Sequence, residues 1–156
     1  MATTSFQLLD PQDALIVGHL SLKSDVTAPV NGMAVKISSG VLVTATDHVS
    51  TGILCEIARR GVNAWNLYDL SDANDLTHWK GKPVGLLLRG VVRLPVASVS
   101  GSVAEGAKVE TVSGGTYAVT AATVGVGTVI AASVVDQYGT ECVDIAFDFT
   151  AGAVPT

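Results

Sequence analysis

Short alternations of apolar and polar residues that end at glycine dominate the chain and limit it to short strands joined by tight turns. Between Met33 and Ile37 the apolar residues alternate with Ala34 and Lys36, and an SSG sequence follows before Val41 resumes the pattern. A two-residue period places successive side chains on opposite faces of an extended strand. The segment therefore predicts a β-hairpin whose turn is the SSG sequence.

The last apolar segment has the same two-residue period and follows a DQYGTE turn. Its two predicted faces are Cys142, Asp144, Ala146 and Asp148 on one side, and Val143, Ile145, Phe147 and Phe149 on the other. A strand of this kind usually has one buried face and one face in solvent. We expect the acidic side of this strand to be exposed.

Two segments have nearly the same pattern. Gly32–Gly40 and Gly106–Gly115 both open with Gly, place Val fourth and reach Ser-Gly after an alternating run. Chance similarity between two glycine-turn hairpins is one explanation, and an internal duplication that gives a pseudo-symmetric barrel is the other. Residues 50–62 fit both a helix and a strand, and we favour a strand because Gly127–Ser133 occupies the matching place in the second half.

The remaining pattern predicts an all-β domain. Ala14–Leu22 reads as a strand, and the PVGLLLRGVVRLPV sequence reads as two strands that meet at Arg89 and Gly90. The chain has 16 Gly, and its many Val and Thr residues suit the pleated surface of a sheet. The fold class expected is a small β-barrel or β-sandwich.

We expect one β domain over residues 14–149. Residues 1–13 would form an N-terminal arm and residues 150–156 a C-terminal tail. A long loop insert, about residues 63–82, interrupts the strand pattern and concentrates polar and aromatic residues. Loops of this length inside a compact domain are usually functional or disordered.

The insert contains three large aromatic residues, Trp65, Tyr68 and Trp79. Such side chains are frequent anchors of protein interfaces, so we take them as candidates for a partner-binding surface. The alternative is ordinary core packing of each Trp beneath the loop.

Charge is scarce along the chain. Charged residues make up 15% of it and the formal net charge is −5, whereas soluble domains average about 25% charged residues. This scarcity indicates that another protein covers part of the exterior. The scattered basic residues argue against nucleic-acid binding, and the apolar runs are too short or too broken by glycine to predict a membrane span.

No catalytic arrangement is apparent. The histidines are His19, His48 and His78, and only His48 has a carboxylate and a hydroxyl nearby, in Asp47 and Ser50. If these residues lie on a strand, neighbouring side chains point to opposite faces and cannot form a relay. We therefore interpret the histidines as polar surface or loop residues and expect no enzymatic activity.

Metal and cofactor sites are equally weak. The insert holds a dense set of oxygen and nitrogen ligands, Asp69, Asp72, Asn74, Asp75 and His78. Their spacing does not match an EF-hand, so we interpret them as a solvated loop of Asx turns. Cys55 and Cys142 lack CxxC spacing and read as two separate buried residues. No cofactor is expected.

The second half resembles the capsid decoration proteins of tailed bacteriophages, also called cement or head-stabilising proteins. The resemblance covers about residues 83–149 and, more faintly, 31–58. It rests on a spacing of Gly and Val residues at Gly90, Val91 and Val92, at Gly106, Val109 and Gly114, and at Gly127 to Ala131.

This resemblance implies a structural protein of the virion. It would be made in the host cytoplasm, bind the outer surface of the capsid as a homodimer or homotrimer, and stabilise contacts between subunits of the major capsid protein. The main alternative is a virion-surface adhesion or carbohydrate-binding module, in which Trp65, Tyr68 and Trp79 would stack on sugar. A small β-barrel enzyme with a pocket around His48 or His78 is the third possibility.

Overall fold

The computed structural model describes residues 6–56, 74–123, 125–136 and 139–150. Within these residues, three short 3-10 helices lie at Pro11–Asp13, Thr77–Trp79 and Val96–Ser98. The strands are β1 (Gln7–Leu9), β2 (Leu15–Ser21), β3 (Ala34–Ser38), β4 (Val41–Thr44), β5 (Gly52–Leu54), β6 (Pro83–Pro95), β7 (Val99–Ser100), β8 (Lys108–Val112), β9 (Thr116–Thr120), β10 (Gly127–Val135) and β11 (Glu141–Asp148).

All these strands belong to one sheet. Its main path runs β4-β3-β5-β6-β11-β10-β8-β9-β7, and β1 and β2 also pair with β6. The path is strongly curled and forms a half-barrel. The predicted all-β fold is therefore confirmed, including the strand at β2 and the strand at β5. The predicted arm overlaps β1, which pairs antiparallel with β6.

The prediction of two strands meeting at Arg89 and Gly90 is wrong. β6 is one strand of 13 residues, because its neighbours hold it on both sides of this point. β2 pairs with it from Pro83 to Arg89, and β11 pairs with it from Arg89 to Pro95. Gly90 itself pairs with Phe147, in a nearly extended backbone conformation.

The internal duplication is present in the strand pairing. In the first half, β3 forms a hairpin with β4 and pairs with β5, which pairs with β6. In the second half, β8 forms a hairpin with β9 and pairs with β10, which pairs with β11. The registers also match, because Val35 pairs with Gly52 where Val109 pairs with Gly127.

Four backbone hydrogen bonds of the first half recur in the second half at equivalent positions. The recurring pairs are Gly32 N to Leu54 O and Gly106 N to Val129 O, Met33 N to Val30 O and Ala107 N to Ala104 O, Leu54 N to Met33 O and Val129 N to Ala107 O, and Thr51 N to Val35 O and Val126 N to Val109 O. Donor–acceptor distances in the two sets lie between 2.8 and 3.1 Å. Matching bonds at matching registers make a chance similarity of two hairpins untenable.

Each half closes in the same way. Leu22, directly after β2, forms a parallel bridge with Leu42 on β4. In the second half β7, which follows β6 after one 3-10 turn, pairs parallel with β9, Val99 opposite Tyr117. β2 in the first half and the C-terminal part of β6 in the second half therefore lead into equivalent parallel pairings. β6 is in this sense shared by the two halves.

The core consists of two apolar clusters, of which only the smaller is confined to one half. The smaller cluster lies within the first half and includes Leu22, Leu42, Leu54, Leu76, Val84 and Leu86. The larger cluster continues from the first half into the second and includes Ile53, Leu87, Val92, Val109, Tyr117, Val143, Ile145 and Phe147. Tyr117 and Phe147 lie with their ring centroids 5.1 Å apart, a favourable aromatic separation.

The predicted exposure of the acidic face of β11 is wrong for Asp144, which is buried, whereas Cys142 on the same face is buried as predicted. Asp144 lies opposite Arg93 on β6. It accepts hydrogen bonds from Arg93 Nε at 2.7 Å and from Nη2 at 3.0 Å. This two-point contact raises the pKa of Arg93 and lets a carboxylate remain in a buried position, because its charge is paired and hydrogen-bonded.

We expect Gly52→Ala to destabilise the protein by about 2 kcal/mol or more. A Cβ at this position would lie 2.6 Å from the backbone oxygen of Leu87 and 2.8 Å from a methyl carbon of Leu86. Urea denaturation measures the loss, and the exposed strand position Thr116 supplies the control, since Thr116→Ala should cost less than about 1 kcal/mol. Equal stabilities of the two variants would contradict the close approach of β5 and β6.

We also expect Asp144→Ala to lower the free energy of unfolding by about 2 kcal/mol, because it removes two charge-assisted hydrogen bonds and leaves the guanidinium of Arg93 unpaired in a partly buried place. Arg89 is exposed and lies on β6, the strand that carries Arg93. As the control, Arg89→Ala should cost about 0.5 kcal/mol or less. Thermal and urea denaturation of both variants check the difference.

Candidate contact surface

The structure separates the three predicted interface residues. Trp65 and Tyr68 lie outside the described residues. Trp79 ends a 3-10 turn, is half-buried, and packs against the smaller apolar cluster. At Trp79, therefore, core packing accounts for at least part of the side chain.

The described histidines are all exposed, as their interpretation as surface residues predicts. Asp47 and His48, however, lie in a turn closed by Thr46 and Val49, not on a strand. Both contact the second half of the molecule. Asp47 Oδ1 accepts a bond from Ser113 N at 2.7 Å, and His48 Nδ1 lies 2.9 Å from a carboxylate oxygen of Glu110. The two residues connect the halves and do not form a relay.

The described part of the insert behaves as an Asx turn. Asp75 Oδ1 accepts bonds from Thr77 N at 2.9 Å and from Thr77 Oγ1 at 2.6 Å. These hydrogen bonds lower the pKa of Asp75, because they stabilise its charged form. Over the described residues, no group of three or more potential ligands is placed to hold a metal ion.

Both cysteines are free and buried, which confirms their reading as two separate residues. Burial, followed by the nearby carboxylate of Asp136, raises the pKa of Cys142. A thiol of this kind is a poor nucleophile at neutral pH.

The two halves also meet through Tyr117, whose side chain is buried. Its hydroxyl donates to the carbonyl oxygen of Gly32 at 2.6 Å, and Ala34 N donates to Gly115 O at 2.9 Å nearby. Gly115 has a φ of 79°, and an added Cβ would lie 2.6 Å from Met33. A cavity of about 90 Å³ beside this contact is lined mostly by apolar and glycine residues.

A second cavity, of about 320 Å³, lies where the turn before β2 meets β6 and β11. Asp10, Asp13 and Arg89 supply its charged groups, and all three are exposed. Neither cavity is lined by a histidine or a cysteine.

The most distinctive surface is formed by residues 111–135, which we call the charge-free segment because it contains no Asp, Glu, Lys, Arg or His. It includes β9, β10 and the connection between them. Its exposed connection residues are Ala121, Ala122, Thr123 and Gly125. Ten of its described residues are exposed, while others such as Tyr117 and Val129 are buried. An exposed stretch without any charge is unusual, because charged residues normally cover protein surfaces.

The distal part of β10 is the most apolar region of the charge-free segment. Ile130 and Val135 are 51% and 62% exposed. The pairing between β10 and β8 includes Gly127 and Thr128, and no strand among the described residues pairs with this edge beyond Val129. β10 is irregular against β11 between Val129 and Val134, which re-aims side chains along the strand.

Sequence reasoning pointed to the aromatic insert and missed this surface as a site. The signal was present, since the absence of charge from residues 111–135 can be read directly. What the sequence could not supply was exposure, because an uncharged run of this kind is equally typical of buried strands.

Comparisons with known proteins identify no family. No protein-family model matches the chain, and no curated protein matches its sequence. Among the residues described, no helix has the length and apolarity needed to cross a bilayer.

Tyr117 should make stability fall at alkaline pH. Burial raises the pKa of its phenol, so the folded state holds the proton more tightly than the unfolded state. The contribution of Tyr117 to the free energy of unfolding is therefore fully present below the ordinary tyrosine pKa of about 10. Above that pH it decreases by up to about 1.4 kcal/mol per pH unit.

Tyr117→Phe is the matched control for this pH dependence. The variant should lose about 1–2 kcal/mol at neutral pH, because the Gly32 carbonyl loses its donor, and its stability should fall less steeply above pH ~10. Urea denaturation across pH 7 to 11 measures both effects. Parallel alkaline profiles for the two proteins would contradict the burial of this phenol.

Proposed function

We propose that this protein is a structural component of a phage virion, located on the capsid exterior. It binds the outer surface of the capsid and stabilises contacts between neighbouring subunits of the major capsid protein. In this proposal the protein has no catalytic activity and needs no cofactor. It acts by covering and joining the surfaces of other proteins, and it attaches as a homodimer or homotrimer.

The observation that carries the proposal is the set of exposed, uncharged residues along the charge-free segment, Ile130 and Val135 above all. Contact with a partner removes water from the surface, and this is costly for charged groups that do not find a partner. A surface without charge avoids the cost. Each fully buried Ile or Val side chain contributes about 1.5–3 kcal/mol, so Ile130 and Val135 are suited to such a contact.

The location of the segment agrees with the sequence resemblance. Residues 83–149 carry the spacing of glycine and valine that resembles capsid decoration proteins, and the charge-free segment lies within them. The described histidines are exposed, as are the charged residues of the larger cavity. These features support a role in attachment more than a role in catalysis.

Symmetry on a capsid would compensate for a small contact area. A dimer or trimer that binds several capsid subunits at once gains effective concentration at each further contact, so weak single contacts combine into strong attachment. Two similar halves in one chain also offer two related scaffolds on which contact surfaces can differ.

The proposal predicts that the purified protein co-sediments with capsids that lack it and raises their melting temperature. Val135→Lys should weaken binding at least tenfold, because it places a charge in the contact. Ile37→Lys is the matched control, since Ile37 is 46% exposed on β3 in the first half, and this variant should bind like the wild type.

Three outcomes would count against the proposal. They are failure of the wild-type protein to co-sediment, equal loss of binding in both lysine variants, and unchanged binding of Val135→Lys. Circular dichroism and urea denaturation of both variants confirm that they are folded before binding is compared.

A further inference from the structure

In the first half, a short extended segment covers the residues that precede β3. Residues 74–76 pair with residues 29–31, and their central residues form an antiparallel bridge. The two flanking hydrogen bonds, each 2.9 Å long, run from Leu76 N to Pro29 O and from Asn31 N to Asn74 O.

The residues that this segment pairs with or adjoins are buried. Pro29, Asn31 and Gly32 are buried, and the Leu76 side chain is fully buried in the smaller apolar cluster. Asn31 also donates from its side-chain amide to Asn74 Oδ1 at 3.3 Å. Residues 74–76 therefore act as an added strand with one apolar and one polar anchor two residues apart.

The recurring hydrogen bonds define the equivalent place in the second half. Since Val30 corresponds to Ala104 and Gly32 to Gly106, residues 29–31 correspond to residues 103–105. Here no cover is present among the described residues. Glu105 and Gly106 are exposed where Asn31 and Gly32 are buried, and Val103 is only half-buried.

The backbone groups of this uncovered stretch are open as well. No described residue bonds to the N–H of Glu105 or to the carbonyl of Val103, the groups equivalent to those that bind Asn74 and Leu76. Exposed backbone groups that lack partners can pair with an added strand.

The open stretch adjoins the charge-free segment. Gly106 N donates to Val129 O at 2.8 Å. Glu105 precedes Gly106 and Ile130 follows Val129, so both residues are chain neighbours of this bond. Ile130 is 51% exposed and lies at an irregularity in the β10–β11 pairing. An added strand at residues 103–105 would have an apolar side chain beside it.

We propose that residues 103–105 are a docking site for an extended segment of the partner protein, which binds as residues 74–76 bind in the first half. The identification of the partner as a capsid protein rests on the proposed function, but the site itself does not. The occupant carries an apolar side chain at the place of Leu76. Two residues earlier it carries a hydrogen-bond donor such as Lys or Asn. A donor is needed there because Glu105 stands in the place of Asn31, and its carboxylate can only accept hydrogen bonds.

The test uses peptides added to the intact, ¹⁵N-labelled protein. One peptide has the sequence of residues 74–79, Asn-Asp-Leu-Thr-His-Trp, and a second peptide has Lys in place of its first Asn. We expect saturable amide shifts at residues 103–106 and 128–131. The lysine peptide should bind several-fold more tightly than the asparagine peptide, and Glu105→Gln should remove this difference, because it removes the charge that pairs with lysine.

Ile130→Lys should weaken binding of the unmodified peptide at least tenfold. Its matched control is Ile37→Lys, since Ile37 is 46% exposed on β3 and this variant should bind normally. Absence of binding, shifts centred on residues 29–32, or equal loss in both isoleucine variants would overturn the inference. So would self-association of the protein through residues 103–105 that peptide does not displace.

The peptide and capsid experiments fail independently. Peptide binding at residues 103–106 without co-sedimentation would leave this site standing and reject the capsid as partner. Co-sedimentation that Glu105→Gln and Ile130→Lys leave unchanged, together with no peptide shifts, would keep the proposed function and reject this site.

Discussion

Backbone pairing along β6 is the constraint on which the rest of the structure depends. This strand pairs with β2 and β5 in its first part, and with β1 and β11 in its second part. Each half of the molecule needs β6 to close, so the halves share a strand instead of meeting at a separable interface. The paired charges of Arg93 and Asp144 join β6 to β11 in the second part. Their mutual hydrogen bonds offset the cost of placing two ions in a partly buried position.

The duplicated halves have the same scaffold and different surfaces. Matching hydrogen bonds fix the hairpin, the strand that pairs with it and the turn before it, because these are backbone interactions that tolerate changes of side chain. The differences lie where backbone pairing ends. β5 stops at Leu54 and residues 74–76 cover the neighbouring stretch, whereas β10 continues to Val135 and leaves its equivalent stretch open. A closed half supports the fold, and an open half is available for contact with another protein.

Exposure determines which of the uncharged strands can have a binding role. β3 to β5 carry Lys36 as their one charged residue, β8 to β10 carry Lys108 and Glu110, both of them on β8, and both sets contribute side chains to the core. In the second half, however, the charge-free segment also forms an outer surface with Ile130 and Val135 in solvent. The contacts of Asp47 and His48 with the second hairpin show the complementary case, in which polar loop residues that suggest chemistry in the sequence hold the halves together.

The sequence by itself determined the all-β class, the hairpin at the SSG turn and the duplicated pattern of glycine and valine, because strand period and turn chemistry are local properties of the chain. It also located the charge-free segment, although not its exposure. Only the tertiary structure decided that β6 runs unbroken through Gly90, that Asp144 is buried against Arg93, and that residues 103–105 are open where residues 29–31 are covered. Each of these depends on which distant strand or side chain lies alongside, and no local pattern specifies a partner that is far away in sequence.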